Sequence, residues 1–177
     1  MADFKSLFGP IRQWGFLVKN LHQAMDSWIK QLGVGPWWGY RNVGLQSHFR
    51  GQTTEAKINV GLSYQNGVQI ELIEQTNDAM SPYRAFYDTP NSQMLHQVAY
   101  FVPDLDAAVK QGKTVGLVEH GYMTNPASRV YYLESPQLQG IVVELMQASA
   151  DFEAEYQRCA KEAATWDGSN PYRLISF

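Results

Sequence analysis

The chain has 177 residues, 45% of them hydrophobic and 18% charged, and a formal charge of −3; that size and composition predict one compact domain able to bury a real core. Lys and Arg are scattered singly, with no basic stripe, which argues against nucleic acid and anionic membrane as partners. Cys159 is the single cysteine and excludes an intrachain disulfide framework, residues 1–13 do not resemble a signal peptide, and no apolar run approaches the ~18 residues of a membrane span, so a reducing cytoplasm is the expected compartment.

In chain order, residues 11–18 form a short apolar strand. Asn20 caps a helix that buries Ala24, Met25, Trp28, Ile29 and Leu32, and Gly33 ends it. A strand comes next at 37–40. Residues 56–64 alternate, with Ile58, Val60, Leu62 and Tyr64 on one face, and Asn66-Gly67 turns into a strand at 68–74. Residues 8–76 thus make a βαβββ module, and 77–92 are a connector with a short helix after Ser81-Pro82. Residues 93–147 repeat the order: a strand at 95–102, Asp104 as cap of a helix cut short by Gly112, and strands at 115–118, 129–133 and 141–146. A helix at 151–166, with Cys159 as a packed small residue, and an apolar tail at 172–177 complete 148–177; the tail is expected to dock on the barrel or on a partner. The fold class is α+β, with two tandem βαβββ modules in a curled mixed sheet inside one domain, 1–177.

The repeat is visible in the residues themselves. Gln13, Val18, Leu21 and Ala24 recur 84 positions later as Gln97, Val102, Leu105 and Ala108, with Gly15/Ala99, Phe16/Tyr100 and Asn20/Asp104 as near substitutes. Farther on, Glu71-Leu72 recurs as Glu144-Leu145, each inside an apolar strand. Along a strand Gln13 shares a face with Gly15, and Gln97 with Ala99, so small residues leave room beside each amide. A carboxylate on a buried face needs a partner, a metal or a proton; the alternative for each Glu is a solvated strand face. Two amides and two carboxylates from equivalent places make a plausible metal or acid/base site.

The repeated strand-helix phrase, the two Glu-Leu strands and the segment Leu95-His96-Gln97-Val98-Ala99-Tyr100 resemble the vicinal oxygen chelate superfamily, in its glyoxalase-like and methylmalonyl-CoA-epimerase-like members, over about residues 8–147. The resemblance implies a sheet curled around a metal held by Gln13, Glu71, Gln97 and Glu144. The family usually has His where this chain has Gln97, and here His96 stands one residue early, a step that points to the opposite face. Three alternatives arise: a bulge re-aims His96 inward, suiting Zn, Ni or Fe; the site is all oxygen, suiting Mg or Mn; or no metal binds. The implied activity is proton transfer next to a carbonyl (isomerase, epimerase or lyase type), with Glu144 and Glu71 as catalytic groups. The substrate would be a small apolar or aromatic carbonyl compound, lined by Trp38, Phe49, Tyr64, Tyr83, Arg84 and Tyr131. Histidines His22, His48 and His120 read as surface residues. The competing reading is a metal-free, drug-sequestering binding protein of the same fold, and a homodimer is consistent with the resemblance and the apolar tail.

Overall fold

The computed structural model describes residues 6–176; residues 1–5 of the N-terminal segment and Phe177 of the tail lie outside the described residues. The elements are β1 (Gln13–Val18), α1 (Leu21–Leu32), β2 (Trp37–Phe49), β3 (Gln52–Gln65), β4 (Val68–Gln75), a 3-10 turn (Arg84–Asp88), β5 (Gln93–Val102), α2 (Leu105–Thr114), β6 (Val118–Asn125), β7 (Ser128–Glu134), β8 (Val142–Gln147), α3 (Ala150–Ala164) and β9 (Tyr172–Ser176). Local chemistry sets the boundaries. The Asn20 side chain accepts from the Gln23 N–H at the start of α1, and Gly33 ends it in the left-handed region. Asp104 caps α2 in the same way through the Ala107 N–H. Asn66 and Gly67 both have positive φ, 51° and 78°, the geometry of a two-residue hairpin.

The sheet is mixed, in the order β3-β4-β1-β5-β8-β7-β6-β2-β9, and β2 also pairs with β3. Eight strands therefore close into a ring. The closing contact is made by the last part of β2, where Gln46 to Phe49 pair with Thr124 to Gly121; the first part of β2 instead carries β9 in parallel, Trp37 opposite Tyr172. The tail thus docks as a ninth strand. The two modules meet where β1 and β5 run antiparallel.

Packing divides by strand face. On the outside, α1 buries Leu21 and Met25 against Val18, Trp37, Ile70 and Leu72, and α2 buries Leu105, Ala108 and Val109 against Val102, Leu133 and Leu145. Inside, Leu17, Ala56, Ile58, Val60, Ile73, Met123, Val130 and Tyr132 pack together, and the connector inserts Tyr83 and Phe86 among them. The third helix behaves differently from the other two. Tyr156 and Cys159 of α3 pack on Tyr64, Trp38 and Phe101, residues that alternate with the outward Trp37 and Val102 and so face inward. Helix α3 therefore covers the inner side of the ring.

Several boundaries differ from the sequence expectation. Helix α2 continues through Gly112 to Thr114, because that glycine serves packing: a Cβ there would meet Leu133 Cδ1 at 3.0 Å. The strand expected at 115–118 starts only at Val118 and runs to Asn125, since residues 115–117 form the exit turn of the helix, with Gly116 at φ 92°. The strand expected at 37–40 is the opening part of the longer β2.

Candidate functional site

Register brings the four repeat residues together. Gly15 on β1 stands opposite Glu71 on β4 and opposite Gln97 on β5. Ala99 on β5 stands opposite Gln13 on β1 and opposite Glu144 on β8. The two rows are adjacent on one face, so four long polar side chains fold over two small residues. The room over Gly15 is fully used: a Cβ there would lie 2.6 Å from Gln97 Cδ.

Gln97 Nε2 donates to Glu71 Oε2 at 3.1 Å and to Glu144 Oε2 at 2.9 Å. On the other side Gln13 Nε2 donates to Gln69 Oε1 at 2.7 Å, which leaves the Gln13 carbonyl facing both carboxylates. With its amide reversed, Gln13 donates to Glu71 Oε2 and Glu144 Oε2, each at 3.2 Å. Each amide thus touches both carboxylates. Gln13, Gln97 and Glu144 are buried, whereas Glu71 keeps partial exposure.

The surroundings resist charge. Burial pushes the Glu144 carboxyl up to about 7, against the pull of the Gln97 hydrogen bond. Glu71 is raised well above the ordinary carboxylate range, by burial first and by the repulsion of Glu144 second. Two such groups at hydrogen-bonding range of one amide need a proton or a cation between them.

A metal fits the donor set on this geometry. Ligand atoms 2.0–2.1 Å from an octahedral Mg²⁺ are about 3 Å apart along each edge, close to the 2.9–3.2 Å found between the amide and carboxylate atoms. Among the described residues no group of three or more His, Cys, Asp or Glu is arranged to hold a metal, so a cation here would depend on the amide oxygens as well as the two carboxylates.

The bulge considered for His96 is present. Gly15 pairs with Gln97 but Phe16 pairs with Leu95, leaving His96 as the extra residue, and in a bulge two successive side chains can turn to the same side. The outcome is that both are buried. Gln97 reaches the carboxylates, and His96 stands behind it, its Nδ1 hydrogen-bonded to Gln97 Oε1. The imidazole meets Tyr83 and Tyr132 edge-on, with centroids 5.3 and 5.9 Å away. Those two tyrosines hydrogen-bond each other through their hydroxyls, and burial, then the charge of Glu144, raises both.

A match to the family model for the glyoxalase/bleomycin resistance protein/dioxygenase superfamily spans residues 12–111. The chain belongs to this superfamily. No curated protein matches it. Solved structures share the superfamily fold: methylmalonyl-CoA epimerase from Mycobacterium tuberculosis (21% identity, TM-score 0.58, covering 85% of this chain and 95% of that one), and a hypothetical protein from Bacillus halodurans (14%, 0.57, 79% and 94%). A third is Streptomyces coelicolor methylmalonyl-CoA epimerase in complex with 2-nitronate-propionyl-CoA (17%, 0.54, 79% and 97%).

Within this superfamily member the other sequence candidates scatter. Tyr83 lies next to the carboxylates. Tyr64 is joined to the cluster through Gln69, whose Nε2 donates to the Tyr64 hydroxyl at 2.6 Å, and Trp38 packs edge-on against Tyr64. Tyr131 is a correction: it packs in the outer layer with α2 and stacks on Tyr122, while its neighbour Tyr132 points inward, one residue deciding the face. Arg84 is also displaced, held by Asp78 and Asp88 at the surface. Phe49 lines a separate cleft of about 670 Å³ with His48, Arg50, His120 and Glu134. His120 is not a plain surface residue, because its Nδ1 lies 2.8 Å from Glu134 Oε1 and it sits edge-on to Phe49; His48 is stacked on Tyr122. Sequence reasoning missed Gln69 and Tyr156. For Gln69, its place two residues before Glu71 on the same strand face was the available signal.

Proposed function

We propose that this superfamily member catalyses proton transfer next to a carbonyl, of the epimerase or isomerase type, at the cluster of Gln13, Glu71, Gln97 and Glu144. The observation that supports it is the meeting of two carboxylates, one buried and one partly exposed, both raised, at 2.9–3.2 Å from two amides that come from equivalent strands. The four residues would hold a divalent cation of the hard type, Mg²⁺ or Mn²⁺, which when bound polarises a carbonyl oxygen and favours loss of the adjacent proton. Glu144, the more deeply buried of the two carboxylates, is the group to accept and return that proton. Glu71 supplies the second carboxylate and, on the more exposed side, faces the approach. Tyr83 and Tyr132, hydrogen-bonded to each other through their hydroxyls, form a buried wall beside His96.

The similar structures named for methylmalonyl-CoA epimerase support a 2-substituted acyl thioester as the first substrate to try. The test is deuterium incorporation from D₂O at the α-carbon of methylmalonyl-CoA, monitored by NMR, with metal-stripped and Mn²⁺-loaded protein. Exchange by the loaded protein that falls in Glu144→Gln supports the reading. Failure of protein that binds Mn²⁺ to exchange any α-proton across thioesters and 2-oxo acids would overturn it and favour the metal-free binding protein.

A further inference from the structure

In the proposed chemistry Gln13 and Gln97 hold the cation, and each of these amides is itself held from behind. Each has an inner end on the carboxylates and an outer end on a group that either donates or accepts. The outer end of Gln13 meets the Gln69 amide at 2.7 Å, and Gln69 meets the Tyr64 hydroxyl at 2.6 Å. The outer end of Gln97 meets Nδ1 of His96.

A carboxamide turned over fills the same volume but exchanges donor for acceptor at both ends. With both N–H ends inward, a bare carboxylate pair receives the hydrogen bonds it lacks. With both carbonyl ends inward, Gln13, Gln97, Glu71 and Glu144 present oxygen only, as a hard cation requires. An outer partner with a fixed role, such as Lys or a backbone carbonyl, would lock one of these states. Here neither partner is fixed. A hydroxyl donates or accepts, so the Tyr64–Gln69–Gln13 chain reverses as a unit, and a neutral imidazole carries its one proton on either nitrogen. In the Nε2–H form, with Nδ1 turned to Gln97, the Pro82 carbonyl beside the ring offers that N–H an acceptor.

We propose that His96 and Gln69 are positioning residues that reverse together with the amides of Gln97 and Gln13, so that one pocket offers N–H donors to the empty carboxylate pair and four oxygens to a divalent cation. This rests on the cation site proposed above. The bulge in β5 gains a purpose from it, since without the extra residue His96 would face away from Gln97.

The test is a titration of the metal-stripped full chain with Mg²⁺, read by calorimetry and by ¹⁵N NMR of imidazole-labelled histidine. The expected result is that His96 passes from the Nδ1–H to the Nε2–H tautomer as Mg²⁺ saturates, while His22, His48 and His120 stay as they were. His96→Phe should weaken Mg²⁺ binding about 10–100-fold, the usual cost of losing a ligand's supporting partner. His96→Asn, with a reversible amide at the same δ position, should recover most of it. Mg²⁺ binding with an unchanged His96 tautomer, or with full affinity in His96→Phe, overturns the positioning role and leaves the cation site standing. Absence of both Mg²⁺ and Mn²⁺ binding overturns both.

Discussion

The two halves of the ring place the same inner pair, one amide and one carboxylate, and support it by different means. In the first half Gln13 sits on a regular strand, and its outer partner Gln69 comes from the neighbouring β4. In the second half the partner is the residue just before Gln97 in the same strand, turned inward by a bulge. The coverings differ as well: Tyr156 of α3 lies over the first half at Tyr64, whereas Tyr83 and Phe86 of the connector fill the ring beside Tyr132. The lesson is that the inner atoms are fixed by register, which a repeated strand phrase reproduces, while outer support is set by whatever packs behind and is free to differ.

The strongest way to break this comparison is to remove one carboxylate at a time. Glu144→Gln and Glu71→Gln should each lower α-proton exchange about 10²–10⁴-fold, the range for a positioned acid or base; full turnover in both variants would sink the shared site. A less direct probe leaves all four residues in place. Gly15→Ala drives a methyl group into Gln97 and should weaken Mn²⁺ binding about 10–100-fold by calorimetry, whereas Ala99→Gly, which only adds room, should leave it near wild type. Equal affinities in the two variants would mean that the small residues do not set the pocket.

The carboxylate pair also makes a prediction for pH. An unfolded Glu144 ionises near its ordinary 4.5 and the folded one near about 7. Between those values the unfolded chain holds fewer protons, so stability is full below about 4.5 and declines until pH 7 is passed. Tm measured in chelator should therefore drop by several degrees from pH 5 to 8, less so in Glu144→Gln, and Mg²⁺ at pH 8 should restore it. A flat profile shared by wild type and variant would show that the group is not held protonated. The smallest effect separates the coverings. Tyr156 OH accepts from the Gln69 backbone N–H and shares its one proton between the carbonyls of Arg12 and Gly67, so Tyr156→Phe should cost about 1–3 kcal/mol. Tyr131→Phe, on the outer face, should cost almost nothing by the same denaturation measurement.

Period and register account for the features that were legible in the residues alone. The βαβββ order, the caps at Asn20 and Asp104, the Asn66-Gly67 hairpin and the shared face of Gln13 with Gly15 are local or two-residue patterns. The bulge at His96 is not, since it depends on how β5 meets β1. Gly112 looked like a helix stop because its packing role needs Leu133 from a distant strand. Tyr131 and Tyr132 could not be told apart without a fixed register for β7, and nothing in the amphipathic pattern of α3 says that it packs inside the ring while α1 and α2 pack outside.

Closure of the ring has a consequence for association. A strand that already has neighbours on both sides offers no free row of N–H and C=O groups to another chain. Among the described residues β9 is the terminal strand of the sheet, five residues long and bonded only to β2. Growth of the sheet into a larger assembly would begin at this short strand, next to the exposed Ile175.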